Sequence, residues 1–318
     1  MFANNPVPII ATHNNPLINI RCNPDPYAIF HDGMYYVYST GYHGVNVLRS
    51  KDLQVFEHMG FALSDENRVA YWAPAVFEYS GLFYMYYSSM LKGETDPHRE
   101  FMQVAVAGNP LGPFIYQKTF YDEFSIDAHV IEKNGMLYLF YAANRTEGDK
   151  IGTMVMLDAL LDPLTPACKP RVILAPTIPQ EISAKNRPGY NRDWYTLEGG
   201  FYFEHKNIGF LMYSANGFEN EDYFVGYALC DTSVPLDEAV FTKYPNENEY
   251  HPLIGKDAYM NGCGHNSVIT GLDGELLIVY HGRDKAESAP YGSGDDGRRL
   301  CIAEIKTNGK QIEVVQRI

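Results

Sequence analysis

Positive charge is scarce in this chain: 25 Lys and Arg stand against 39 Asp and Glu in 318 residues, for a formal net charge of −14. A phosphate backbone needs a basic face, so this balance excludes a nucleic-acid partner, and the same sign argues against an anionic membrane. No apolar run approaches the roughly 20 residues of a membrane span. The first ten residues offer neither a basic start nor a long apolar stretch, so no secretory signal is legible and a cytoplasmic protein is expected. Cysteine is sparse as well. Cys22, Cys168, Cys230, Cys263 and Cys301 form no Cys-x-x-Cys pair and no zinc spacing, and an odd count fits buried, reduced thiols. Helical periodicity is nearly missing: the best candidates, 158–161 and 235–239, are long enough only for loop helices.

What the chain does have is aromatic residues, 25 Tyr and 17 Phe within a 46% hydrophobic composition, and these favour pleated, half-buried strands. They recur in one phrase: a short apolar run, a turn containing Gly or Asn, then an aromatic strand ending in Tyr plus a small or polar residue. The copies start at Asp25-Pro26-Tyr27, Trp72-Ala73-Pro74, Asp127-Ala128-His129, Glu198-Gly199-Gly200 and Gly264-His265-Asn266, and end at Tyr38, Tyr87, Tyr141, Tyr213 and Tyr280. Turns such as Asp32-Gly33, Asn134-Gly135 and Asp273-Gly274 supply the positive φ of tight hairpins. Hairpin repeats at roughly 40–50 residues, each continued by one or two more strands, are the signature of a propeller. The expected fold is all-β, a single five-bladed β-propeller of about four antiparallel strands per blade, spanning 1–318 as one catalytic domain. Closure of the ring predicts an N-terminal strand near 7–10 in the last sheet, with a strand at 312–316 beside it. The Pro-rich stretch 161–179 and the polar loop 282–298 read as insertions within the repeats.

Innermost propeller strands line a central channel, and residues at their starts ring one mouth. Asp25, Asp127 and Glu198 lie thirteen to fifteen residues before the terminal Tyr of their repeats, and Trp72 and His265 take the same register in the other two. Three convergent carboxyl groups suit glycoside hydrolysis with inversion, in which one carboxylate deprotonates water and one acid protonates the leaving oxygen, about 6.5–9.5 Å apart. A third acid nearby raises the donor's pKa. A planar Trp beside them suits the apolar face of a sugar ring.

At these residues the chain resembles glycoside hydrolase family 43, five-bladed propeller enzymes that act on arabinofuranosides and xylosides. The motifs are Asn23-Pro24-Asp25-Pro26, Tyr71-Trp72-Ala73-Pro74, Ser125-Ile126-Asp127-Ala128, Leu197-Glu198-Gly199-Gly200 and Gly264-His265-Asn266-Ser267, one in each repeat. The resemblance implies that Asp25 is the general base, Glu198 the general acid and Asp127 the residue that tunes and orients Glu198. It makes Trp72 part of the wall around the terminal sugar. Arg283 matches the family's basic residue near the sugar, or else pairs with Asp284 at the surface. His265 resembles the His near the channel axis where some members bind a metal, often calcium and mostly through water; a core His making two hydrogen bonds is the competing reading. No cofactor is required, and any calcium would be structural or electrostatic. Ala75 departs from the polar residue that many members carry there, which implies a less polar outer pocket on that side.

The chain ends soon after the fifth repeat, without the C-terminal β-sandwich of many β-xylosidases in the family. That points to an inverting, exo-acting α-L-arabinofuranosidase on small oligosaccharides, with β-xylosidase and galactofuranosidase as alternatives. The insertions 94–100 and 178–194 are expected to shape the rim, where Tyr190, Trp194 and Tyr195 either stack on sugar or pack in the core. A phosphorylase would need a basic cluster and a single acid. A sugar-binding propeller without catalysis would lack one of the three acids, and all three are present.

Overall fold

The aromatic repeats fold as antiparallel hairpins in a computed structural model that describes residues 10–12, 22–286 and 297–317. The inner strands are Tyr27–His31, Arg68–Tyr79, Ser125–Lys133, Arg192–His205 and Met260–Thr270. Each pairs antiparallel with the strand after it. The first sheet runs Ile10–Thr12, Val55–Leu63, Val45–Ser50, Met34–Ser39, Tyr27–His31, and the second Arg68–Tyr79, Leu82–Leu91, Phe101–Ala107, Ile115–Thr119. The last sheet orders Met260–Thr270, Leu276–Asp284, Arg298–Asn308 and Gln311–Arg317. Between them lies one ten-stranded sheet holding the third and fourth repeats, because Ile151–Thr153 pairs in parallel with Trp194–Thr196. Five repeats are therefore distributed over four sheets among the described residues.

Alternation along the strands puts apolar side chains on both faces of each sheet, and neighbouring repeats bury them against one another. Tyr38 and Val47 meet Val76 and Met85; Tyr86 and Val104 meet Val130 and Leu139; Phe140 and Val155 meet Leu197 and Tyr213. Met212 and Val225 meet Ile278 and Tyr280, and Leu277 and Val279 return to Ala28, Tyr35 and Val37 of the first repeat. Tyrosine serves here better than phenylalanine, since its ring fills the core while its hydroxyl satisfies a carbonyl between elements. Tyr38 donates to the Pro110 carbonyl at 2.7 Å and Tyr86 to the Pro163 carbonyl at 2.8 Å.

Three expectations are corrected. The segment 158–161 is the end of the strand Ile151–Asp162, where Leu160 packs into the core, and 235–239 is a turn. The short helical pieces are instead 3-10 turns at Pro97–Arg99 and Pro179–Glu181. The N-terminal strand Ile10–Thr12 joins the first sheet, parallel to Val55–Leu63, and not the last; Val7 to Ile9 lie outside the described residues. The last sheet takes its outer strand from Gln311–Arg317, as the 312–316 pattern predicts. The polar insertion 282–298 is described only at its ends, up to 286 and from 297.

Candidate active site

A bulge repeated in four inner strands builds the site. The ladder slips by one residue between Trp72 and Ala75, Ile126 and His129, Glu198 and Phe201, and Gly264 and Ser267. The first bulged residue is left-handed each time: Ala73 at φ 40°, Asp127 at 61°, Gly199 at 59° and His265 at 50°, with Asp25 at 53° in the corresponding place of the first repeat. Non-glycine residues in this region cost of order 1–2 kcal/mol, and such strain persists where the surroundings over-determine it. The single register expected for the site is thus corrected. Asp25, Asp127 and His265 share the bulge position, whereas Trp72 and Glu198 stand one residue earlier, still in the ladder opposite Ser88 and Ser214.

The bulge residues converge. His265 Nδ1 lies 3.4 Å from Asp25 Oδ1 and 3.9 Å from Asp127 Oδ2. Gly199 contributes no side chain there, and its N–H donates to Asp127 Oδ2 at 3.0 Å. Asp25 is held from several sides. Arg298 Nη1 donates to its Oδ1 at 3.1 Å, the Thr40 hydroxyl donates to its Oδ2 at 2.6 Å, and its own N–H donates to His281 Nδ1 at 3.1 Å. Thr40 Oγ1 in turn accepts the Ala73 N–H at 2.8 Å, which ties the Trp72 segment to Asp25. Glu198 receives the Tyr223 hydroxyl on Oε1 at 2.8 Å. The Tyr223 ring stacks on His281, with centroids 5.8 Å apart, and occupies space left by Gly264, where a Cβ would lie 1.9 Å from the ring.

Burial acts on all the acids, but their partners differ. For Asp25, burial pushes the pKa up, yet the Arg298 guanidinium foremost, and the His265 imidazole after it, bring it well below the usual carboxylate range. Burial raises Glu198 to about 7, with the Asp25 carboxylate adding to the rise and the Tyr223 hydroxyl opposing it. Asp127 is raised well above its ordinary value by burial and by the charges of Glu198 and Asp25. Burial also lowers His265, and pushes His281 down to about 4. His281 Nδ1 accepts a backbone N–H, so the ring is neutral with its proton on Nε2. The cluster thus holds one ionised carboxylate against one guanidinium, beside two acids that favour their protonated forms.

The other sequence-selected residues fall differently. Trp72 is half-buried beside the bulge. Arg283 is buried and donates to the Phe218 carbonyl at 2.7 Å, so the surface pairing with Asp284 gives way to an inward role holding the loop over the site. Ala75 packs into the core between the second and third repeats, so it does not set the polarity of a pocket. Trp194 is buried with Tyr190 at 4.9 Å and the Arg187 guanidinium 4.1 Å over its ring, which places it in packing and not on a sugar-facing rim. The two rim insertions meet where Arg187 donates to His98 Nε2 at 2.8 Å. For calcium the donors do not fit. His265 turns a ring nitrogen toward two carboxylates, and no group of three or more His, Cys, Asp or Glu side chains among the described residues could hold an ion.

Sequence reasoning missed Arg298, His281, Tyr223 and Thr40. His281 carried a signal, since it follows the terminal Tyr where the other repeats have Ser39, Ser88, Ala142 and Ser214. Arg298 lies beyond a long insertion, and Thr40 and Tyr223 sit in turns and loops whose approach to the site is purely three-dimensional.

An α-L-arabinofuranosidase B from Pyricularia oryzae is 25% identical over 287 residues, covering 86% of this chain and 56% of its own length. A β-D-galactofuranosidase from Aspergillus niger is 30% identical over 112 residues, covering 35% of this chain and 29% of its own length. The chain thus spans about half or less of the curated relatives it matches. Among solved structures, a thermostable family-43 glycoside hydrolase superposes with a TM-score of 0.76 at 27% identity, covering 96% of both chains. An α-L-arabinofuranosidase from Lactobacillus brevis gives 0.76 at 22% identity over 94% of both, which speaks for the fold alone. The model of glycosyl hydrolases family 43 matches residues 13–310, and the chain belongs to that family.

Proposed function

We propose that the protein is an inverting, exo-acting glycoside hydrolase that releases terminal α-L-arabinofuranose, and that 1–318 forms one catalytic five-bladed propeller. The blade count rests on the five apolar clusters that join successive repeats and return to the first. The observation that carries the mechanism is the opposite electrostatic setting of acids in one cluster: Asp25 is held ionised by Arg298, while Glu198 is raised to about 7. Asp25 takes a proton from water as the water oxygen bonds to the anomeric carbon. Glu198 gives its proton to the leaving oxygen as the glycosidic bond breaks on the opposite face. Asp127 accepts the Gly199 N–H and so positions the backbone beside Glu198, while the Asp25 carboxylate disfavours early ionisation of the acid. Trp72 forms a wall of the sugar site. No step needs a metal.

The arabinofuranosyl preference is supported by the Pyricularia relative's name, and galactofuranoside is the second reading because the Aspergillus relative carries that name. The test is turnover of paired aryl α-L-arabinofuranoside, β-D-xyloside and β-D-galactofuranoside substrates, with Asp25→Ala as control and proton NMR of the first-formed anomer. Arabinofuranoside turnover with inversion, lost in Asp25→Ala, is expected. Retained configuration, or activity that survives the substitution, overturns the mechanism.

A further inference from the structure

Beside the catalytic cluster lies a second feature, a cleft of about 490 Å³ between the insertion that carries Gln180 and Lys185 and the loop that carries Asn216, Asn220 and Asp222, with Tyr250 on its wall. We propose that this cleft binds a neutral oligosaccharide, the leaving-group side of the substrate, as an extension of the site. This rests on Glu198 being the proton donor.

Position is the first argument. Ser214 stands opposite Glu198 in the ladder, and Asn216 follows two residues later. At about 3.3 Å per residue the cleft therefore begins roughly 7 Å from the acid's partner. An acid that protonates the leaving oxygen marks the side on which the leaving group lies, so a chain cut at Glu198 extends over this loop. The loop itself is a shared partition. On the catalytic side, the Phe218 carbonyl accepts Arg283, its ring lies 4.6 Å under the Arg298 guanidinium, and Tyr223 reaches Glu198. On the other side, Asn216 and Asn220 face the cleft.

Chemistry is the second argument. Asn216 and Asn220 are fixed by one another at 2.6 Å, by the Gln180 carbonyl at 3.1 Å and by the Ser183 carbonyl at 3.1 Å. Each amide keeps hydrogen-bonding capacity beyond those bonds: a donor on Asn216 Nδ2 and an acceptor on Asn220 Oδ1. Rigid amides of this kind suit vicinal hydroxyls. Charge is balanced: Lys256 pairs with Asp222 at 2.6 Å and with Glu221 at 3.7 Å, and Lys185 in the lining adds a second cation, so two acids meet two lysines and the cleft favours neither an anion nor a cation. Tyr250, 42% exposed and braced edge-on by Phe224 at 5.1 Å, offers a ring face for a sugar. A preformed pocket with a few fixed polar groups and one aromatic wall is what a neutral sugar chain requires.

The test is isothermal titration calorimetry of linear 1,4-β-xylohexaose and 1,5-α-arabinohexaose against the inactive Asp25→Ala protein, alone and with Tyr250→Ala or Gln180→Ala added. Tyr250 and Gln180 are both exposed, and melting curves check that the variants fold. Saturable binding of one hexasaccharide to Asp25→Ala, weakened about tenfold or more when Tyr250→Ala is added, is expected. Failure of both hexasaccharides to bind at millimolar concentration, or equal affinity in the folded variant with Tyr250→Ala added, overturns the proposal. Turnover of a substrate with a poor leaving group, compared between wild type and Glu198→Gln, reads the catalytic assignment separately: undiminished turnover in Glu198→Gln with cleft binding intact would fault the proton donor and leave a sugar-binding cleft without its leaving-group role.

Discussion

At the scale of single residues, the site is decided by which acid receives a cation. Asp25 has Arg298 within 3.1 Å, whereas Glu198 accepts the Tyr223 hydroxyl at 2.8 Å and feels the Arg298 guanidinium without a hydrogen bond from it among the described residues. The profile of kcat/KM against pH is therefore expected to fall on its alkaline side near pH 7, where Glu198 loses its proton. Its acid limb should lie well below pH 4, where Asp25 gains one. Replacing the guanidinium by Arg298→Met should move the acid limb up by about one unit or more. An unmoved limb in a folded variant would remove Arg298 from the electrostatics of the base. The same burial has a cost in stability. A carboxyl raised from its ordinary 4.5 to about 7 favours the folded state below pH 4.5 and disfavours it progressively as pH rises through 7. Glu198→Gln, which cannot ionise, should therefore be more stable than wild type by on the order of 3 kcal/mol at pH 8, and no more stable at pH 4. Denaturant unfolding at the two pH values reads this difference directly.

At the scale of the strand, the repeated bulge explains what the sequence showed and what it hid. The hairpins were legible because alternating apolar residues, aromatic strand ends and Asn-Gly or Asp-Gly turns are local signals. The bulge was not, because a left-handed residue can be Asp25, Ala73, Asp127, Gly199 or His265 with nothing in common but position. A one-residue slip changes which face a side chain takes, and so Glu198 and Trp72 read as equivalent to Asp25 when they stand one step outward. Arg298 escaped for another reason: the insertion before it breaks the repeat spacing that located the acids. The bulge also makes a prediction. Gly264→Ala would drive a Cβ into the Tyr223 ring, displace the hydroxyl from Glu198 and cost about 1–3 kcal/mol of stability. Its activity should fall most on substrates with poor leaving groups, which depend on the acid. Gly199→Ala, whose Cβ would meet His265 at 3.4 Å, should cost only about 1–2 kcal/mol for its positive φ. If the two variants lose equal activity on such substrates, the seating of Tyr223 is not what orients the acid.

At the scale of the whole molecule, the first and last sheets are joined through the residues that do the chemistry. Among the described residues the N-terminal strand, Ile10–Thr12, lies in the first sheet, and the contact with the last is made by other groups. Asn23 N–H donates to the Arg298 carbonyl at 3.0 Å, and Asp25 N–H donates to His281. Ser267 Oγ accepts the Ala28 N–H at 3.1 Å and donates to the Pro26 carbonyl at 3.1 Å. Ser267→Ala would leave both backbone groups buried without that partner, so a loss of roughly 2–4 kcal/mol is expected. Because Pro26 adjoins Asp25, kcat should fall in the same variant even at temperatures where it stays folded. The control is Lys243→Met, which breaks a buried pair with Glu181 at 2.6 Å and takes no hydrogen bond away from the three acids. That change should cost about 3–5 kcal/mol, yet leave the pH profile on an aryl glycoside in place. Thermal unfolding and kcat measured together on the two variants separate a seam that positions Asp25 from one that merely holds the ring shut. If Ser267→Ala lost stability with kcat unchanged, closure and catalysis would be independent properties of this fold. A fall in kcat confined to Ser267→Ala would make the seam between first and last sheets part of the catalytic geometry.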